Sequence, residues 1–108
     1  MSQMQKAKVI FRKWKDANAM SLCRIIAVFP EIPADALGIM CMSFEHVGQH
    51  GACSPIAMLE NTEPISEKDA EVRDLIDELH NRGYELDIVK TITTEMTEIR
   101  AKNARSGL

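Results

Sequence analysis

The sequence predicts an α+β domain, with a mainly antiparallel sheet of four to five strands, one amphipathic helix packed on one face and a short C-terminal helix. Three observations carry this reading. Apolar residues recur with a period of two in several short runs, as strands with a buried face require. A single long stretch, 66 to 82, instead has the helical period, with Ala70, Val72, Leu75, Ile76 and Leu79 on one stripe and acids opposite. The chain has 108 residues, enough for about one domain with one core.

In chain order, Val9, Ile10, Phe11 and Trp14 are strand formers interleaved with Lys8, Arg12 and Lys13, which predicts a half-exposed first strand over 6–15. A polar link from Asp16 to Ser21 leads to a second strand, Leu22 to Phe29. Its block Ile25-Ile26-Ala27-Val28-Phe29 is apolar on both faces and belongs at the centre of the sheet. The short link implies an antiparallel hairpin. Pro30 and Pro33 are expected to end strand pairing and open a loop that includes Asp35 and Gly38.

Ile39 to His46 reads as a third strand, with Met40, Met42, Phe44 and His46 on the core face and Ile39, Cys41, Ser43 and Glu45 on the other. A loop on Gly48 and Gly51 follows, and Ile56-Ala57-Met58-Leu59 is read as a fourth strand. The helix is expected to start at Ser66, with Glu67 and Asp69 suiting the dipole, and to stop at Gly83. Tyr84 to Ile92 alternates as a fifth strand. The last segment, from Thr93 or Thr94 to Asn103, offers only Met96 and Ile99 as large apolar residues, a stripe expected to pack weakly. Residues 1–108 read as a single domain, with 1–5 and 104–108 frayed.

Composition narrows the function classes. The longest apolar run, Ile25 to Pro30, is far short of the roughly 20 residues a membrane helix needs, and no signal-peptide core is visible. Three cysteines at irregular spacing do not make a disulfide framework. A cytoplasmic protein with no membrane partner is expected. The net charge is −3, unevenly spread: residues 1–24 carry six basic residues against Asp16, and residues 60–78 carry eight acids against Lys68 and Arg73. A basic arm can contact phosphates. The plainer reading is an edge strand kept soluble by lysines and facing an acidic helix.

The chemistry concentrates between Glu45 and Cys53. Glu45, His46, Gln49 and His50 are the candidate binding residues of a loop that serves as a working surface. His46, His50 and Cys53 are the candidate ligands if a metal is held, and zinc is the ion that suits such a set, with Cys41 a further ligand type nearby. Their spacing matches no standard zinc motif, so the primary expectation carries no cofactor. A histidine here could instead act as general acid or base beside Glu45, and no catalytic residue is assignable. A purely structural loop, with Cys41 and Cys53 as small buried side chains, explains the same residues.

At Phe11-Arg12-Lys13, Phe29-Pro30-Glu31-Ile32-Pro33-Ala34 and Ser43-Phe44-Glu45-His46-Val47-Gly48-Gln49-His50-Gly51, the chain resembles small uncharacterised bacterial and mobile-element proteins. The resemblance spans most of residues 7 to 90. It implies the same order of a basic first strand, a Phe-Pro-Glu element and a His-Val-Gly-Gln-His-Gly loop, supports the fold reading and the importance of that loop, and implies no activity. The expected function is a small binding or accessory domain with a protein or small-molecule partner; nucleic acid is the weaker alternative, and a second copy of the chain a further candidate.

Overall fold

A computed structural model describes residues 5–15, 25–45 and 49–106, with the backbone alone at Gln49 and His50. The fold is α+β. Its strands are β1 (Gln5–Trp14), β2 (Ile25–Pro33), β3 (Cys41–Glu45), β4 (Gln49–Cys53), β5 (Thr62–Pro64) and β6 (Tyr84–Ile88). Its helices are α1 (Pro55–Asn61), α2 (Ala70–Asn81) and α3 (Thr94–Arg105). Thus Gln5 already belongs to a strand, and Ala104 and Arg105 to a helix. None of the described helices is long and apolar enough to cross a membrane.

The strand order is β4-β3-β2-β1-β5, with β6 also on β1. The first two strands pair antiparallel, Phe11 opposite Ala27, as the hairpin reading requires. The link expected from Asp16 to Ser21, and Leu22 at the expected strand start, lie outside the described residues. β2 is central, and Ile25 to Pro30 are all buried. The register sorts its side chains into two cores. Ile25, Ala27 and Phe29 join Ala7, Val9, Phe11 and Phe44 under Val72, Leu75 and Leu79 of α2. Ile26 and Val28 join Cys41 and Met58 on the opposite face.

The expected amphipathic helix, α2, covers one face, and α1 contributes Met58 to the core on the other. The expected C-terminal helix is α3, which packs on β2. Its apolar stripe is thin, as read, but it docks through a cation. Arg100, 4% exposed, donates from Nε to the carbonyl of Gly38 at 2.8 Å and from Nη1 to that of Pro30 at 2.9 Å. Asn103 adds a bond to the carbonyl of Glu31 at 3.0 Å. Gly38 fits this joint uniquely: its φ is +74°, and a Cβ there would lie 3.0 Å from Cα of Ala101.

Several local expectations are corrected. Pro30 and Pro33 do not end β2; the strand runs on to Pro33 opposite Cys41, with the register shifting between Phe29 and Pro33. An irregularity of that kind is where a strand tolerates a residue without an N–H. β3 starts at Cys41 because Asp35 turns the chain just before it, its Oδ1 accepting from the amides of Ile39 and Met40. Ile56 to Leu59 is helical. Ser54 caps it, Oγ accepting from the amide of Ala57, and Pro55 takes the first-turn position that suits its fixed φ.

Asp69, not Ser66, caps α2, its Oδ1 accepting from the amide of Glu71 at 2.9 Å, while Ser66 forms the turn before it. Gly83 follows the helix with φ +101°, as its position after the stripe implies. The fifth expected strand stops at Ile88 and runs parallel to β1, Ala7 opposite Leu86.

Candidate functional site

Gln49–Cys53 is a strand antiparallel to β3 and not part of a wrapped loop. Residues 49–53 extend along β3, pairing Glu45 with Gln49, Phe44 with His50, Ser43 with Gly51 and Cys41 with Cys53. Gly51 thus sits within a strand beside the Ser43 hydroxyl, which a Cβ would approach to 3.3 Å. His46 and Gly48 lie outside the described residues. Glu45 is engaged by the first strand, Trp14 donating from Nε1 to its Oε2 at 3.3 Å. Among the described residues no three His, Cys, Asp or Glu side chains converge as a metal site would require.

The structure does bring Cys53 to Cys41. They are direct partners across the ladder, with sulfurs 3.5 Å apart, and Cys41 Sγ is also 3.6 Å from the carbonyl oxygen of Cys53. Cys41 is buried and Cys53 half-buried. The hydrogen bond from Cys53 holds the Cys41 thiol below its ordinary pKa; burial opposes this and the Arg100 guanidinium assists it. The bond to Cys41, then burial, then the charge of Cys41 push Cys53 up. Two sulfurs this close share one proton and lose the second with difficulty.

A second feature comes from the sheet edge. β6 pairs with the first half of β1, its ladder ending at Val9 opposite Ile88, and the amide of Val89 donates to the carbonyl of Val9 at 2.9 Å. β5 pairs with the second half, from Arg12 opposite Pro64. Ile10 and Phe11 lie between the two ladders, where β5 and β6 part. A cleft of about 720 Å³ opens there. Its walls include Ile10, Phe11, Ile65, Ile88 and Val89, and its polar lining Arg12, Ser66, Glu67, Lys68, Lys90 and Thr91.

Arg12 is held within this lining. Its Nε donates to Thr62 Oγ1 and its Nη2 to the Thr62 carbonyl, both at 2.9 Å, while the Thr62 hydroxyl donates to the Met58 carbonyl at 2.6 Å. Thr62 is 1% exposed, so it ties β1, β5 and the end of α1 through one buried hydroxyl. Thr62→Val keeps the shape and removes that hydroxyl. It is expected to lower the unfolding free energy by about 1–3 kcal/mol, because the buried Met58 carbonyl and the half-buried Arg12 guanidinium lose a partner. Urea titration of the variant measures this, and a change under about 0.5 kcal/mol, the size expected of an ordinary surface substitution, would contradict it.

Two more cations of this region have partners inside the chain: Lys8 pairs with Glu31 at 3.2 Å, and Lys15, just past β1, donates to the Glu60 carbonyl at 3.0 Å. Lys68 and Lys90 are different, since neither ammonium meets an acceptor among the described residues. The sequence reading passed over the cleft because its lining comes from three separate segments, which only the divided edge of β1 assembles. Compared with known protein families, curated proteins and solved structures, the chain matches none.

Proposed function

We propose that this chain is a small binding domain that takes a compact organic anion, with an apolar body and a carboxylate or phosphate group, in the cleft beside Ile10 and Phe11. The observation that carries the proposal is the cleft itself. Its volume of about 720 Å³ lies within the roughly 300–1,000 Å³ typical of small-molecule sites, and it combines apolar walls with a few polar groups.

The charges select the ligand. Lys68 and Lys90, whose ammonium groups meet no acceptor among the described residues, line the cleft, and Arg12 is fixed beside them by Thr62. Glu67 is the one acid in the lining, so cations outnumber it. An anion therefore gains attraction there, and the apolar walls favour a ligand with carbon skeleton over a bare ion.

This keeps the binding role expected from the sequence and moves its site away from the Glu45–Cys53 hairpin. Glu45 is engaged by Trp14, and Cys53 by Cys41. No specific observation favours a zinc or a histidine-catalysed reading over this one.

The test is an NMR titration with a panel of aromatic and short aliphatic carboxylates, each matched by its neutral amide. Carboxylates are expected to shift the amide resonances of Ile88 to Thr91. The Lys68→Glu, Lys90→Glu double variant is expected to weaken them at least about tenfold, or about 1.4 kcal/mol. Equal binding of acids and amides, or binding indifferent to the charge reversal, removes the anion reading. Absence of any shift around the cleft removes the site.

A further inference from the structure

We infer that Cys41 and Cys53 form a reversible redox site, a dithiol that a small disulfide converts to a cross-strand disulfide joining β3 to β4. Three independent features of the geometry support it.

First, the backbone is already in place. Directly opposed residues of an antiparallel pair have Cα atoms about 4.5–5.5 Å apart, inside the roughly 4.4–6.8 Å range of disulfides. Cys41 and Cys53 are such a pair. Their sulfurs, 3.5 Å apart, need only side-chain rotation to reach bonding distance.

Second, the neighbourhood favours a thiolate. Arg100 is buried and gives its hydrogen bonds to carbonyls, meeting no carboxylate among the described residues. Its charge acts on both sulfurs. A thiolate formed on either sulfur therefore gains attraction from this cation, and thiolates beside arginine are the reactive form of cysteine.

Third, access is unequal in the useful sense. Cys53 is half-buried and can be reached, whereas Cys41 lies behind it in the second core with Ile26, Val28 and Met58. The reachable sulfur meets the oxidant, and the enclosed one completes the exchange.

The chemistry balances with a small disulfide as oxidant. With the proton between the two sulfurs carried by Cys41, Cys53 is the thiolate that attacks one sulfur of that disulfide; its S–S bond breaks, one small thiolate leaves, and a mixed disulfide forms on Cys53. Cys41 then loses its proton to water or to the departed thiolate, and its sulfur attacks Cys53 Sγ, expelling the second small thiolate. Two S–H bonds become one S–S bond, two electrons pass to the small disulfide, and two small thiols are released. The product closes a ring over residues 41–53 and fixes the hairpin end from which Ser54 starts α1.

The test uses the full chain carrying Cys23→Ser, equilibrated with oxidised and reduced glutathione at graded ratios and read by intact mass and peptide mapping. The expected result is loss of the mass of two hydrogens, a Cys41–Cys53 cross-linked peptide, and full reversal by excess reduced thiol. Adding Cys53→Ser is expected to abolish the reaction, and adding Cys41→Ser to arrest it as a glutathione adduct on Cys53. Two free thiols persisting at the most oxidising ratio, or a reaction that stops at the adduct with both cysteines present, overturns the inference. Should Cys23→Ser impair folding, the same mapping on the unsubstituted chain decides: cross-links confined to Cys23 overturn it, and a 41–53 link supports it.

Discussion

Arg100→Met is expected to destabilise the protein by about 3 kcal/mol, and to do so by releasing α3. Two effects oppose each other. A hydrogen bond to a charged group contributes about 1.5–3 kcal/mol, and Arg100 makes two, to Gly38 and Pro30. Against this, methionine carries no charge to desolvate, and replacing a buried charge by an apolar side chain of similar reach can be neutral when its partners vanish with it. Here the partners do not vanish. The carbonyls belong to the backbone, Pro30 within β2 and Gly38 in the β2–β3 connection, and stay buried whatever occupies position 100, so the loss prevails. A lysine is not equivalent, because one ammonium lacks the planar fork that addresses two divergent carbonyls. Urea unfolding gives the magnitude, and hydrogen exchange gives the place: amides of α3 should lose protection before those of β2. A loss below about 1 kcal/mol would mean that Met96, Asn103 and helix packing hold α3 without the cation.

That role of Arg100 was legible in one respect and hidden in another. Met96 and Arg100 are four residues apart, so they share a helical face, and both are buried. The spacing was visible in the sequence; that a cation could serve as the second member of an apolar stripe was not, because its acceptors are carbonyls contributed by residues some seventy positions away. The central strand, α2 and its glycine stop were legible because each rests on local pattern: an apolar block, a helical stripe, a positive φ.

The hairpin was misread for a similar reason. A glycine-containing stretch signals a turn, yet Gly51 stands in a strand where Ser43 approaches closely. Once the ladder is centred near position 47, Cys41 must face Cys53. The register, not the composition, pairs the sulfurs. Likewise Ile56 to Leu59 is too short for its period to separate strand from helix, and the deciding signal was Ser54-Pro55 in front of it.

Phe29→Ala is expected to cost about 3–5 kcal/mol, the range for removing a buried aromatic ring from a core, and its effect should reach the cleft. Phe29 is fully buried in the central strand, stacks on Tyr84 with centroids 5.2 Å apart, and belongs to the cluster that joins α2, Phe44 and β6. The ring thus connects the middle of the sheet to the strand whose end, at Ile88, forms one wall of the cleft. Phe29→Leu provides the control, since it restores much of the volume without the ring stacking. The difference between the two variants isolates the cavity, and the remaining deficit of leucine includes the aromatic pair, worth about 0.5–1.5 kcal/mol. If β6 is positioned through this contact, alanine should broaden the resonances of Tyr84 to Ile88 and weaken carboxylate binding even under conditions where the chain stays folded, while leucine should do so much less. Equal binding by all three proteins would show that the ladder with β1, from Gln5 to Val9, positions β6 unaided. The cleft would then depend on backbone pairing alone, and the packing beneath it would govern stability without governing the ligand.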